Sequence, residues 1–139
     1  MKPQTLYRIV ADAEAVTWAL LILGMILKYT DVTEVGVTIA GPLHGLAFLT
    51  FVTVTALVWV NNRWSAARGL TGLASSVIPF CTIPFERNCY RTGHLDGSWR
   101  EDNPVLAPVT RNPKATTGVL AGVIIVVFAV LMLIGGPFG

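Results

Sequence analysis

Charge is scarce in this chain: Asp, Glu, Lys and Arg make up 13% of its 139 residues, about half the 25% typical of a soluble domain. With 53% hydrophobic residues and a mean hydropathy of +0.64, that scarcity points to an integral membrane protein. A net charge of +2 is too small for a nucleic-acid binder, and no segment mixes basic residues with aromatics as nucleic-acid grooves do. Cysteine and histidine are equally sparse, two of each. Cys81 and Cys89 would lie roughly 12 Å apart on a continuous helix, beyond disulfide reach, and neither belongs to a metal-spacing motif. His44 and His94 alone make an intrinsic metal or haem site improbable, so no intrinsic cofactor is expected. No nucleophile stands with a base and an orienting acid, and no Gly-rich phosphate loop is present, so the reading is not that of an enzyme. The first apolar stretch carries acidic residues and has no small-residue cleavage site at its end, which argues for a retained helix rather than a leader.

What is present is a set of apolar runs. Leu6–Tyr29 is long enough to cross a bilayer, which takes roughly 20 mostly apolar residues, and it carries Arg8, Asp12 and Glu14. Arg8 and Asp12, four apart, are placed to neutralise each other on one helix. Glu14 shares a face with Thr17, Trp18 and Leu21, and either a group from another helix satisfies it or it is protonated. Ile39–Val60 is the second run; it opens with Gly41-Pro42-Leu43-His44-Gly45, where Gly41 and Gly45 offer close helix packing. Leu70–Phe85 is short and contains Pro79 and Pro84, each of which removes an amide donor and kinks or ends a helix. A kinked span is expected, with a re-entrant segment as the alternative. Asn88–Thr116 is polar, rich in Gly and Pro, and long for a connection; Tyr90, His94, Trp99 and Arg100 are its candidate partner contacts. Gly118–Gly136 is an uninterrupted apolar helix whose Gly118 and Gly122 form a small-xxx-small face.

The expected fold is therefore all-α and polytopic, with four transmembrane helices, the third short and proline-kinked. It divides into a three-helix module over 1–90, a polar loop over 91–116 and a C-terminal transmembrane helix over 117–139. Four spans put both termini on one side. The plain count of basic residues, four on the side of the termini (Lys2, Arg8, Arg63, Arg68) against six on the other (Lys28, Arg87, Arg91, Arg100, Arg111, Lys114), points against cytoplasmic termini. The rule works best on short loops, however. Asn61–Arg68 has two arginines and no acid, whereas Thr30–Thr38 has two acids and no base, which favours both termini being cytoplasmic. His44 is the sharpest polar residue of the second run. Depth arithmetic separates it from Glu14 by roughly 9 Å in a 30 Å core. Glu86 is the better carboxylate partner for His44, or for Arg87 and Lys28.

Four motifs in order, Leu6-Tyr7-Arg8-Ile9-Val10-Ala11 with Glu14, Leu27-Lys28-Tyr29, Gly41-Pro42-Leu43-His44-Gly45, and Ser76-Val77-Ile78-Pro79-Phe80 with Phe85-Glu86-Arg87, resemble the DUF3817 family of small bacterial membrane proteins over roughly residues 4–90. The resemblance implies a compact three-helix module and no particular activity. Its polar positions would be Arg8, Glu14, Lys28, His44 and Glu86. It also suggests an actinobacterial inner-membrane setting, where small extra subunits accompany cytochrome bcc–aa3 oxidase supercomplexes. The expected role is a non-catalytic accessory or assembly subunit whose partners are the lipid bilayer and other membrane subunits such as a cytochrome oxidase or bc complex. A small proton-coupled carrier or pore using Glu14 and His44 is the alternative.

Overall fold

A computed structural model describes residues 2–99, 106 and 111–134. Among these the chain is helical, without strands: α1 Pro3–Tyr29, α2 Val35–Asn61, α3 Ala66–Ser75, α4 Thr82–Arg91 and α5 Pro113–Leu133. Prolines sit in the first turns of α1 and α5, where the missing amide has no intrahelical acceptor. Ser65 caps α3 by accepting from the Arg68 amide at 3.2 Å.

Three helices, α1, α2 and α5, are long and apolar enough to cross a membrane. The expected third span is not continuous. Residues 76–81 separate α3 from α4, and each of these helices has 10 residues, about 15 Å. The sequence contains the reason. Pro79 cannot donate to the Ser75 carbonyl, and Phe80 takes a left-handed backbone (φ 67°), so the chain turns back instead of kinking onward.

The contacts trace that reversal. Along α3, Gly69 packs on the Trp59 ring and Gly72 faces Thr55; at the turn, the Ser76 carbonyl meets the Trp18 indole (3.2 Å). Along α4 the path runs back: the Thr82 hydroxyl donates to the Ala11 carbonyl (3.0 Å), Glu86 meets Arg8, and the His94 carbonyl accepts from the Trp64 indole (2.8 Å). The α3–α4 pair is thus a re-entrant hairpin, entering and leaving at the end where α1 starts and α2 finishes. This is the alternative weighed for the third run, and it corrects the kinked span.

α1 and α2 pair antiparallel along their lengths, with Gly24 against Gly36, Thr17 against His44 and Tyr7 against Thr55. At Gly24 an added Cβ would lie 2.8 Å from backbone atoms of Gly36 and Val37. Only glycine permits that approach. The core lies at the other end, where Tyr7 meets the rings of Phe51, Trp64 and Phe85 at centroid distances of 5.3, 5.8 and 6.4 Å. The start of the expected polar loop is tied to it: Asn61 donates to the Ser98 carbonyl and Asn62 to that of Asp96, and Leu95 is fully buried. α5, which starts at Pro113 rather than beyond the expected loop boundary, packs on α2.

Candidate functional site

The hairpin and the α1–α2 pair enclose two polar clusters. The outer one gathers Arg8, Asp12, Glu86 and Arg87. Arg8 Nε donates to Glu86 Oε1 at 2.9 Å, and its guanidinium lies 4.7 Å from the Tyr90 ring centre. Arg87 bonds the other Glu86 oxygen and reaches Asp12 Oδ1 at 3.4 Å. The Arg8–Asp12 pair expected along one helix is therefore replaced by two bridges from α1 to α4, because α4 brings a carboxylate and a guanidinium of its own. The hydrogen bond that Arg87 donates to Glu86 also holds Arg87 above its ordinary pKa. Nearby, Cys89 is fully buried with Arg68 Nη1 3.3 Å from its sulfur; burial pushes the thiol up, and the Arg68 contact offsets part of that. Both cysteines are free.

The inner cluster lies where the hairpin tip meets α1 and α2. Glu14 and His44 are both fully buried. The Trp18 indole N–H is shared between Glu14 Oε1 (3.0 Å) and the Ser76 carbonyl (3.2 Å), and the Trp18 and His44 rings lie 4.3 Å apart. The Thr17 hydroxyl donates to the Glu14 carbonyl (2.9 Å) and also lies 2.9 Å from His44 Nδ1. A hydroxyl has one hydrogen to give, so this arrangement assigns the ring proton to Nδ1, as donor to Thr17. Glu14 Oε2 has no hydrogen-bond partner among the described residues.

Two expectations change here. The donor to Glu14 comes from its own helix, through Trp18 one turn on. And Glu14 and His44 belong to one cluster instead of lying at separate depths. The helices start a turn earlier than the apolar runs suggest, at Pro3 and Val35. From those starts Glu14 is roughly 16 Å in from one face and His44 roughly 14 Å in from the other, which meet within a 30 Å core. Glu86 is not the partner of His44, since the hairpin returns it to the Arg8 end. Lys28 is exposed beside Tyr29, 5.9 Å from its ring centre, at the opposite end from Glu86.

Of the expected packing glycines, Gly41 and Gly45 are buried, but a Cβ on Gly41, Gly118 or Gly122 would meet nothing within 4 Å. Close packing falls instead on Gly24, Gly36, Gly69 and Gly72. Of the expected partner contacts, Tyr90 is taken up by Arg8, His94 Nδ1 pairs with the Thr92 hydroxyl, Trp99 packs against the core, and Arg100 lies outside the described residues. Among the described residues no cluster of His, Cys, Asp and Glu suits a metal ion.

No solved structure matches the chain. A Streptomyces coelicolor protein whose name says only that it is a membrane protein is 43% identical over 100 residues. The aligned stretch is 70% of this chain but 12% of that much longer protein. The DUF3817 family, described as a domain of unknown function, matches residues 4–91. That range runs from the first turn of α1 to the last residue of α4 and takes in both polar clusters with the hairpin that closes them, so the chain is a membrane protein belonging to the DUF3817 family.

Proposed function

We propose that the chain is a non-catalytic accessory subunit of a larger bacterial inner-membrane complex, with α5 as its contact helix. The observation that carries this reading is the condition of α5. It is apolar, has no buried residue in the segment suited to crossing, and leaves Gly118 and Gly122 facing open space. Small residues one turn apart let helices approach closely in lipid, and this face has no occupant within the described chain. The longer Streptomyces relative supports the reading, since there the matching stretch is joined to a great deal of other polypeptide. A cytochrome bcc–aa3 supercomplex is the most specific partner, and it rests on the family resemblance alone. A mild-detergent pull-down of the tagged chain, with absorption spectra and mass spectrometry, tests it. Haem absorbance and near-stoichiometric cytochrome subunits are expected with the native chain and are lost with Gly118→Leu plus Gly122→Leu. A colourless monomer from native membranes would sink the reading.

Orientation belongs to the same proposal. With α1, α2 and α5 crossing and the hairpin returning, eight of the nine described basic residues fall at the face where α1 begins: Lys2, Arg8, Arg63, Arg68, Arg87, Arg91, Arg111 and Lys114. Lys28 alone is at the other. Basic residues collect on the cytoplasmic side, so α1 starts in the cytoplasm and α5 ends outside, in place of the arrangement expected from four spans.

A second reading, a proton-coupled carrier or pore, is favoured by one observation, the buried Glu14 oxygen without a partner among the described residues. It requires Glu14→Gln to abolish proton flux in proteoliposomes with the fold intact. If that variant only lowers expression, the carboxyl is structural.

A further inference from the structure

A groove of about 370 Å³ runs between α2 and α5, with Leu6 of α1 at its edge. That volume is within the ~300–1,000 Å³ range of small-ligand sites. Leu46, Val54 and Leu57 line one wall, and Leu120 and Ile124 the other. In a bilayer such a groove holds hydrocarbon, and the question is which molecule supplies it. Basic residues stand at one end. Lys2 lies one turn before Leu6, whose amide bonds the Lys2 carbonyl, and Lys114 lies about one turn before Thr117, another lining residue. Helical spacing puts Lys114 above Thr117, and Lys2, the N-cap of α1, stands at the end of the helix one turn from Leu6. Both are exposed, and among the described residues neither is in an ion pair. Arg111 follows on the same approach to α5. Of the acids at this face, Asp12 and Glu86 are held by Arg87 and Arg8, and Asp96, exposed and in no ion pair among the described residues, sits by the end of α2, away from the groove's α1 and α5 starts.

The lysines share one membrane face. Asp96 and Ser98 are bonded to the end of α2, and residues 100–112 are too few and too polar to cross: 13 residues reach only about 20 Å as a helix. Non-helical backbone does not run through lipid. α5 therefore starts where α1 starts.

We propose that this groove binds one anionic phospholipid, with an acyl chain along α2 and α5 and the phosphate between Lys2 and Lys114. Basic pockets between transmembrane helices recognise such head groups. The site needs α5 to begin on the basic face but no partner complex, so a colourless monomer in the pull-down leaves it standing. Native mass spectrometry of the full chain with added dioleoylphosphatidylglycerol or dioleoylphosphatidylcholine tests it. One phosphatidylglycerol is expected to remain bound where phosphatidylcholine is stripped. Lys2→Gln and Lys114→Gln should each weaken that binding roughly fivefold, and Ala121→Phe, which fills the groove from an exposed position, should remove it with the lysines intact. Equal retention of the two lipids, binding indifferent to all three variants, or a homodimer that excludes lipid would each overturn the proposal.

Discussion

Trp18 is the residue on which the inner cluster turns, because its single N–H serves both the Glu14 carboxyl and the Ser76 carbonyl. Trp18→Phe keeps an aromatic ring beside His44 but strands two buried acceptors. An unmade buried hydrogen bond costs about 1–3 kcal/mol, so a clear fall in the thermal midpoint in detergent is expected. Tyr7→Phe, which removes only the bond to Thr55, should cost about 1 kcal/mol. The cysteines provide a chemical check at this scale. The thiolate is the reactive species, and burial raises the Cys89 thiol. Cys89 should therefore resist maleimide at neutral pH in the folded protein and react on unfolding; rapid labelling before unfolding would contradict its burial. Glu14 and His44 could be picked out in the sequence as buried polar residues, and the shared face of Glu14, Thr17 and Trp18 was visible from helical spacing. That Trp18 donates to Glu14 was not visible, because spacing says which residues share a face and not which atom fills which gap.

At the scale of elements, sequence and structure part at the proline-containing third run. Apolar length separates spans from loops, but Pro79 and Pro84 are compatible with a kink or a reversal, and the left-handed turn at Phe80 is set by where Ser76 and Thr82 find partners on α1. The same limit applies to glycine. A small-xxx-small spacing points to Gly118 and Gly122, whereas the tight approach is made by Gly24 and Gly36, which stand on different helices and meet only through the antiparallel register across the short α1–α2 connection. Gly24→Ala is expected to destabilise the α1–α2 pair by about 1–3 kcal/mol through overpacking, measured as a loss of thermal midpoint in detergent. Gly118→Ala should fall within about 0.5 kcal/mol of the parent, as substitutions away from packed features do. Equal effects would mean that α5 is packed inside the folded chain after all.

The described residues have a marked asymmetry: all their basic residues but Lys28 collect at the end where α1 begins, and the proposed orientation rests on it. Reporter fusions measure that arrangement. A fusion within residues 100–112 should report the cytoplasm and one after Leu133 the outer side; matching signals from the two would mean an even number of crossings between them. The hairpin also bears on how the protein is made. Neither α3 nor α4, at 10 residues each, is long enough to be handed to the bilayer as an independent span, so the expected order is insertion of α1 and α2 first, with the hairpin folding back onto them afterwards. Until its tip arrives, Glu14 and His44 stand in a cleft open toward one side. On that order the hairpin tip is what encloses the Glu14 carboxyl, and a chain stalled before that step is expected to expose a polar flank.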